Sequence, residues 1–145
     1  MKLYKNYIDG KWIESESKDI IQVDDPSTGK IIAEISCAKK NEVDLAVSAA
    51  KAAFNSRVLV DMPLLDRAKL MHRIADETRK IADEGGKMLC YENGKMLGAA
   101  IKEFNDVADM FDYYAGLTDK LEGKTIPVSP TIFDYTVLEP FGVSA

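Results

Sequence analysis

The sequence has few residues of the kinds that carry catalysis or bind metals. Its 145 residues include one histidine, His72, and only two cysteines, Cys37 and Cys90. Neither cysteine has a partner at a spacing typical of a zinc site, so we expect no bound metal. The composition, 46% hydrophobic and 30% charged, is typical of a soluble globular protein in which both thiols stay reduced.

Long apolar runs and clusters of basic residues are also missing. No stretch approaches the roughly 20 apolar residues of a membrane span. The N-terminal stretch MKLYKNYIDGKWIES has no continuous apolar core of the signal-peptide type. The net charge is -5, and a weakly acidic chain without a basic cluster is a poor partner for nucleic acid or an anionic membrane. We therefore expect a cytoplasmic protein that binds neither.

The first forty residues alternate in a way that predicts two β-hairpins. In 6–15, Asp9-Gly10 can occupy the two positive-φ positions of a type I′ turn. In 19–38, the longer turn DDPSTGK separates two apolar runs, with Pro26 fixing φ and Gly29 accepting a positive φ. The fold is therefore expected to begin with four strands.

From residue 41 the hydrophobic period changes from two to 3.6, which predicts four helices. Asn41 is the expected N-cap of the first, over NEVDLAVSAAKAAF. The second is expected to begin near Pro63 and to stop or loosen at Gly85-Gly86. A short helix over 87–95 and the longest helix, roughly 97–121, are expected to follow.

The last part of the chain is expected to leave the helices for an extended strand. Residues 122–130 are interpreted as a connection, and 131–140 alternate as a strand with Pro140 near its end. A further apolar run begins at Phe141. The sequence therefore predicts an α/β fold with N-terminal β-hairpins, a group of four helices and a C-terminal extended strand.

No catalytic residue can be assigned from these patterns. His72 lies within a predicted helix without a serine or cysteine placed to be its nucleophile, and Cys90 lies late in a short helix. The PSTGK stretch joins two strands and lacks the spacing of a phosphate-binding loop. Glu103, Asp106 and Asp109 share one side of the longest helix, which indicates a solvated face or a surface beside a channel.

The order of the segments nevertheless resembles one family. The matching pieces are YIDGKWIES, DDPSTGKIIAEI, NEVDLAVSAAKAAF, DRAKLMHRIADETRKIADE, ENGKMLGAA, DYYAGLTDKLEGKTIPV and YTVLEPFGV. Each piece is weak evidence alone, but together they resemble the N-terminal part of the NAD(P)-dependent aldehyde dehydrogenase superfamily over essentially the whole chain. The resemblance implies an incomplete part of that Rossmann-type fold, about its first third.

The resemblance also implies that different segments of the chain have different structural roles. It implies that 1–18 are a β-extension of the oligomerisation region, that 19–127 are the N-terminal part of the cofactor-binding domain, that 128–140 are an oligomerisation strand and that 141–145 are the truncated start of the dinucleotide-binding sheet. The implied partners are the remaining polypeptide and further copies of the same protein, joined through β-strands.

Chemistry is implied for the parent enzyme and not for this chain. Such enzymes oxidise an aldehyde to a carboxylic acid with NAD or NADP through a cysteine thiohemiacetal. The catalytic cysteine, glutamate and asparagine are expected beyond residue 145, so no catalytic or cofactor-binding residue is assigned here, and the chain alone is expected to be inactive and to bind no cofactor. Lys102 and Asp106 are expected near the substrate tunnel, and Ser27, Thr28 and Glu92 near a monovalent-cation site found in some members.

Two other interpretations remain open from the sequence. The chain could be a non-enzymatic oligomerisation module, because unpaired strand edges invite partner strands. It could also be a truncated remnant that folds only in part. The sequence does not distinguish NAD from NADP, nor does it name the aldehyde.

Overall fold

The computed structural model describes residues 2–144, and they form an α/β chain with four helices and three small sheets. The helices are α1 (Lys40–Asn55), α2 (Leu64–Lys80), α3 (Ala82–Asn93) and α4 (Leu97–Ala115). The strands are β1 (Lys2–Tyr4), β2 (Asn6–Ile8), β3 (Lys11–Ile13), β4 (Ile20–Asp25), β5 (Lys30–Ser36), β6 (Thr125–Ser129) and β7 (Ile132–Tyr135). The predicted fold class and its four helices are confirmed.

Both predicted N-terminal hairpins are present. β2 and β3 pair antiparallel around Asp9 and Gly10, whose φ angles of 50° and 75° are the positive values that a type I′ turn requires. Tyr7 and Trp12 face each other across this hairpin with ring centroids 4.9 Å apart. β4 and β5 form the second hairpin, and Gly29 in its turn has φ 68°.

One strand was missed in the sequence. β1 pairs in parallel with β5, and the sheet order is β1-β5-β4. β5 is thus the central strand, and its apolar residues Ile31, Ile32 and Ile35 are all partly exposed. The first residues of the chain therefore share a sheet with the second hairpin.

The N-cap of α1 lies two residues before its predicted position. The helix begins at Lys40, so Lys39 and not Asn41 is the N-cap residue. The backbone N–H of Lys39 donates to Oε2 of Glu42 at 2.9 Å, and Oε1 of Glu42 accepts from the backbone N–H of Glu16 at 2.9 Å. The Glu42 side chain therefore caps the helix and also holds the chain that leaves β3.

The prediction for the glycine pair is wrong. The second helix ends at Lys80, and Gly85 and Gly86 lie inside α3. A Cβ atom at Gly86 would stand 2.5 Å from Cγ1 of Ile101 and 2.9 Å from its Cα and N, and one at Gly85 would meet the Phe104 ring. The pair therefore lies where α3 and α4 are in close contact, and glycine is needed there for space.

The C-terminal boundaries also differ from the predictions. α4 ends at Ala115, six residues before the predicted position. Thr125–Ser129, interpreted as a connection, is strand β6, and it pairs antiparallel with β7. β7 ends at Tyr135, so the strand predicted over 131–140 is shorter and 136–144 are irregular.

The buried core within residues 2–144 is small and built from alanines on the helices. α4 packs against both α2 and α3. The buried apolar residues are Ala75, Ala82, Ala100, Ala108 and Ala115, and no large side chain among the described residues is fully buried. Small side chains let helices approach closely, but they remove little apolar area from water.

The chain exposes far more surface than a compact protein of its mass. Its accessible area is 11229 Å², whereas a folded monomer of this mass exposes about 7,400 Å². The excess of about 3,800 Å² is several times the roughly 800 Å² that one partner contributes to a standard interface. Within the described range, no helix is both long enough and apolar enough to span a membrane.

Candidate functional site

The candidate site is the α2–α4 face, because the acidic residues noted in the sequence lie there. Each of the three has a cationic partner: Nζ of Lys95 contacts Glu103, Nζ of Lys102 lies 2.6 Å from both carboxylate oxygens of Asp106, and Arg79 lies 2.8 Å from Asp109. The acids that would repel one another in an isolated helix are therefore neutralised by exposed ion pairs, which individually contribute little to stability.

An apolar groove of about 350 Å³ runs between α2 and α4 beside these pairs. It is lined by Met71, Glu103, Asp106, Val107, Met110, Phe111 and Tyr114. Asp106 thus borders the groove directly, whereas Lys102 is held at its edge through its ion pair with Asp106. The structure brings these two predicted site residues together, one helical turn apart.

The single histidine connects the same two helices. Nδ1 of His72 lies 2.6 Å from Oδ1 of Asp112, and Arg79 lies 2.6 Å from Oδ2 of the same carboxylate. These hydrogen bonds, first from His72 and then from Arg79, lower the pKa of Asp112 from its ordinary value. His72 is 54% exposed, and its hydrogen-bond partner is a carboxylate and not a hydroxyl or thiol that it could activate. This arrangement joins α2 to α4 and offers no nucleophile for the histidine to activate.

The two thiols occupy ordinary positions. Cys37 follows β5 and Cys90 lies in α3, and both are partly exposed and free. Sγ of Cys37 makes only a weak contact of 3.9 Å with the carbonyl of Ala38. Among residues 2–144, no group of three histidine, cysteine or acidic side chains is placed to hold a metal ion.

The PSTGK turn is a local hydrogen-bonded turn. The Asp25 carboxylate accepts from the backbone N–H of Ser27 at 2.8 Å, from the Ser27 hydroxyl at 2.6 Å and from the Thr28 hydroxyl at 3.0 Å. These bonds, led by the Ser27 hydroxyl, lower the pKa of Asp25. The turn's donors thus point to its own carboxylate, so the turn interpretation is preferred to a phosphate cradle.

The same turn approaches the end of α3. A Cβ at Gly94, which has φ 73°, would lie 3.1 Å from the Pro26 ring. Ser27 and Thr28 are therefore near the end of the helix that carries Glu92, although their hydroxyls already donate to Asp25. A cation site at these residues stays a prediction.

Sequence reasoning missed a cavity beside the N-terminal sheet. An apolar cleft of about 540 Å³ lies between the β1-β5-β4 sheet and α3. Its lining includes Tyr4, Ile32, Met88 and Tyr91, with Glu92 among them. The signal that could have indicated it is the near-continuous apolar run of β5, which is typical of a strand covered on both faces.

The comparisons with known proteins decide the family. A model of the aldehyde dehydrogenase family matches residues 12–145. The chain belongs to the aldehyde dehydrogenase family. It is 34% identical to aldehyde dehydrogenase family 2 member C4 of Arabidopsis thaliana, with the alignment covering 99% of this chain and 29% of the relative.

A second relative and a solved structure agree with this assignment. The mitochondrial aldehyde dehydrogenase of Equus caballus is 34% identical, with 94% of this chain and 28% of the relative covered. The NAD+ complex of the Bacillus cereus aldehyde dehydrogenase superposes with a TM-score of 0.81 at 28% identity, covering 91% of this chain and 27% of that one. The chain therefore spans less than a third of the length of these relatives.

Proposed function

We propose that residues 1–145 are the N-terminal scaffold of an NAD-dependent aldehyde dehydrogenase and supply none of its reacting groups. The observation that carries the proposal is the excess exposed area of about 3,800 Å². A surface of this size, rich in exposed apolar side chains, is expected where a larger body of polypeptide packs on the scaffold. The family relatives, more than three times as long, are consistent with such a body.

The proposal assigns the chemistry to the rest of the enzyme. There an aldehyde is oxidised to a carboxylic acid while NAD+ takes up the hydride, and the reacting cysteine lies on that remaining polypeptide. This chain would contribute residues 19–127 to the cofactor-binding domain and 141–145 to the start of its sheet. The proposed location is the cytoplasm.

Lys102 and Asp106 are proposed to border the substrate tunnel from this scaffold. The support is the apolar groove beside them, which Asp106 lines and which leads along α4 past Met110 to Tyr114. Their ion pair would hold the Asp106 carboxylate against the groove edge, so that an aldehyde enters along apolar side chains.

The proposal predicts that the chain is inactive by itself and active when completed. Residues 1–145 alone, mixed with NAD+ and a panel of aliphatic and aromatic aldehydes, are expected to give no NADH. The same residues fused in frame to the remainder of the Bacillus cereus enzyme, in place of its matching quarter, are expected to oxidise an aldehyde. NADH absorbance measures both, and the remainder without this chain is the control. Turnover by the chain alone, or a soluble fusion without turnover, would contradict the proposal.

A second candidate function is that of an oligomerisation module, and the hairpin of β6 and β7 favours it. All of its residues are exposed, and Phe133 is 79% exposed. In this role, residues 1–18 and 128–140 would pair with strands of another copy. Size-exclusion chromatography with light scattering is then expected to give a dimer or larger species for the isolated chain. A stable monomer at all concentrations would contradict this function.

A further inference from the structure

The single histidine of the chain lies at a contact between two helices. Histidine is the side chain that ordinarily changes its charge between about pH 5 and 8, and His72 is the only one in the sequence. It lies in the middle of α2 and contacts Asp112 of α4, and these two helices pack against each other. Gain or loss of one proton therefore changes the charge at an interhelical contact.

His72 and Arg79 hold the same carboxylate from two sides. They are seven residues apart on α2, which places them on one face of the helix about two turns from each other. Nδ1 of His72 lies 2.6 Å from Oδ1 of Asp112, and Nη2 of Arg79 lies 2.6 Å from Oδ2. Arg79 also pairs with Asp109 at 2.8 Å and with Asp76 at 3.7 Å. We call His72, Arg79 and Asp112 the interhelical bridge.

Of the bridge residues, only His72 changes charge near neutral pH. The hydrogen bonds from His72 and Arg79 lower the pKa of Asp112, so its carboxylate stays ionised there, and arginine keeps its charge. In the described part of the chain, the imidazole forms no ion pair except with Asp112. The neighbouring charged side chains on the two helices have partners of their own, in the pairs Lys69–Asp66, Lys80–Glu77 and Lys102–Asp106.

Protonation of the ring changes the strength of this contact. An imidazolium donates from Nδ1 in every case and brings a positive charge to the carboxylate. A neutral ring brings no charge, and it donates to Asp112 only as the tautomer that carries its proton on Nδ1. Arg79 holds Asp112 in both states, so loss of the proton weakens the link between the helices without breaking it.

The bridge stands beside the groove between α2 and α4. Met71 and Phe111, the residues immediately before His72 and Asp112, both line that groove. The contact that depends on the proton is therefore next to the apolar surface that the two helices share.

We propose that the interhelical bridge is a proton-dependent link that holds α2 to α4 beside the groove more strongly when His72 is protonated. The link uses only residues of this chain. It goes beyond the proposed function and does not require it, because no further polypeptide, substrate or cofactor takes part.

The proposal predicts a lower melting temperature in weak alkali. Unfolding of the isolated chain, followed by far-ultraviolet circular dichroism, should have its midpoint about 2–4 °C lower at about pH 8 than at about pH 5.5. The shift is small because the side chains of His72 and Asp112 are 54% and 34% exposed. For the same reason, high salt should reduce the difference between the two pH values.

Two variants test whether the bridge causes this shift. His72→Gln cannot gain a charge, and Asp112→Asn removes the charge that attracts the proton, so each variant should melt at nearly the same temperature at both pH values. The double variant should have no pH difference either. Glu77→Gln is the matched control, since Glu77 is exposed on α2 and pairs with Lys80 outside the bridge. It should keep the parent's difference.

The parent and His72→Gln decide the outcome even where Asp112→Asn does not fold. A parent that melts at the same temperature at both pH values would overturn the proposal. A pH difference of the parent's size that persists in His72→Gln would also overturn it. Neither result would bear on the proposed function, which makes no use of this titration.

Discussion

Replacing Gly86 with alanine is expected to lower the free energy of unfolding by about 3 kcal/mol or more, which is the upper range for overpacked sites. The added Cβ would stand 2.5 Å from Cγ1 of Ile101 and 2.9 Å from its Cα and N. Two of these three atoms belong to the α4 backbone, so no side-chain rotation relieves the contact. The helices must separate, and the small alanine core that they share is then lost.

The expected result is a much lower urea midpoint, or no cooperative transition at all, when unfolding of the isolated chain is followed by far-ultraviolet circular dichroism. Gly98→Ala is the matched control, because Gly98 is also helical and a Cβ there meets no atom within 4 Å. That change should leave the stability unchanged or raise it slightly, because Gly98 is the second residue of α4 and not an interior position. A Gly86→Ala chain that melts like the parent would show that α3 and α4 do not cross at this distance.

A companion pair of variants separates side-chain contacts from backbone contacts. At Gly85 the three nearest atoms all belong to the Phe104 ring, which a smaller residue would remove. Phe104→Leu should therefore rescue Gly85→Ala in part, whereas Ile101→Ala should give Gly86→Ala little relief. Equal rescue at both positions would contradict this account of the crossing.

The glycine pair also shows why part of the fold was not predictable from the sequence. Two adjacent glycines within a helical pattern indicate either an interruption or a close packing contact. Local sequence favours an interruption of the helix. The close packing contact depends on Ile101 and Phe104, which lie on another helix and reach the pair only after the chain has folded.

Features set by neighbouring residues were predicted more successfully. The Asp9-Gly10 turn needs only two residues that accept a positive φ, and both hairpins appear where the turn signals stand. β1 was missed because its three residues are stabilised by parallel pairing with β5, about thirty positions along the chain. β6 was missed because Pro127 favours a connection over a strand, although the hairpin accepts it beside a register shift.

In the candidate site, too, contacts between near neighbours in the sequence were predictable and contacts between helices were not. The Lys102–Asp106 pair is an i,i+4 contact, and its spacing is visible in the sequence. The bonds from Arg79 to Asp109 and from His72 to Asp112 join different helices, so no local pattern indicates them. The Nδ2 atom of Asn6 is buried without a hydrogen-bond partner among the described residues. This too is a product of packing, since only the folded chain determines which donors find partners.

Glu42 has one role that the sequence predicts and one that only the fold shows. Its replacement is expected to have the second large effect on stability. An acidic residue in a first helical turn is predicted from sequence, because it favours the positive end of the helix dipole. Its burial was not predicted: the residue is only 3% exposed, and its carboxylate accepts from the backbones of Glu16 and Lys39. It therefore links the end of the first hairpin to the start of α1.

The backbone N–H of Glu16 and then that of Lys39 lower the pKa of Glu42 from 4.5 to about 2. Because the folded pKa is depressed, the ionised carboxylate stabilises the fold fully above about pH 4.5. That contribution is lost as the pH falls toward about 2, where the folded state takes up its proton. Acid should therefore weaken this junction before the helices themselves.

Glu42→Gln tests this linkage, because the amide keeps the shape but replaces one acceptor oxygen with a donor group that faces a backbone N–H. At pH 7 the variant should melt several degrees below the parent. The melting temperatures of the two proteins, plotted against pH, should converge as the pH falls below 4.5. Glu122→Gln, at an exposed position after α4, should instead melt with the parent at every pH. Parallel curves for Glu42→Gln and the parent down to pH 2 would mean that this carboxylate titrates alike in the folded and unfolded chain. Its two backbone contacts would then not account for the stability of the junction.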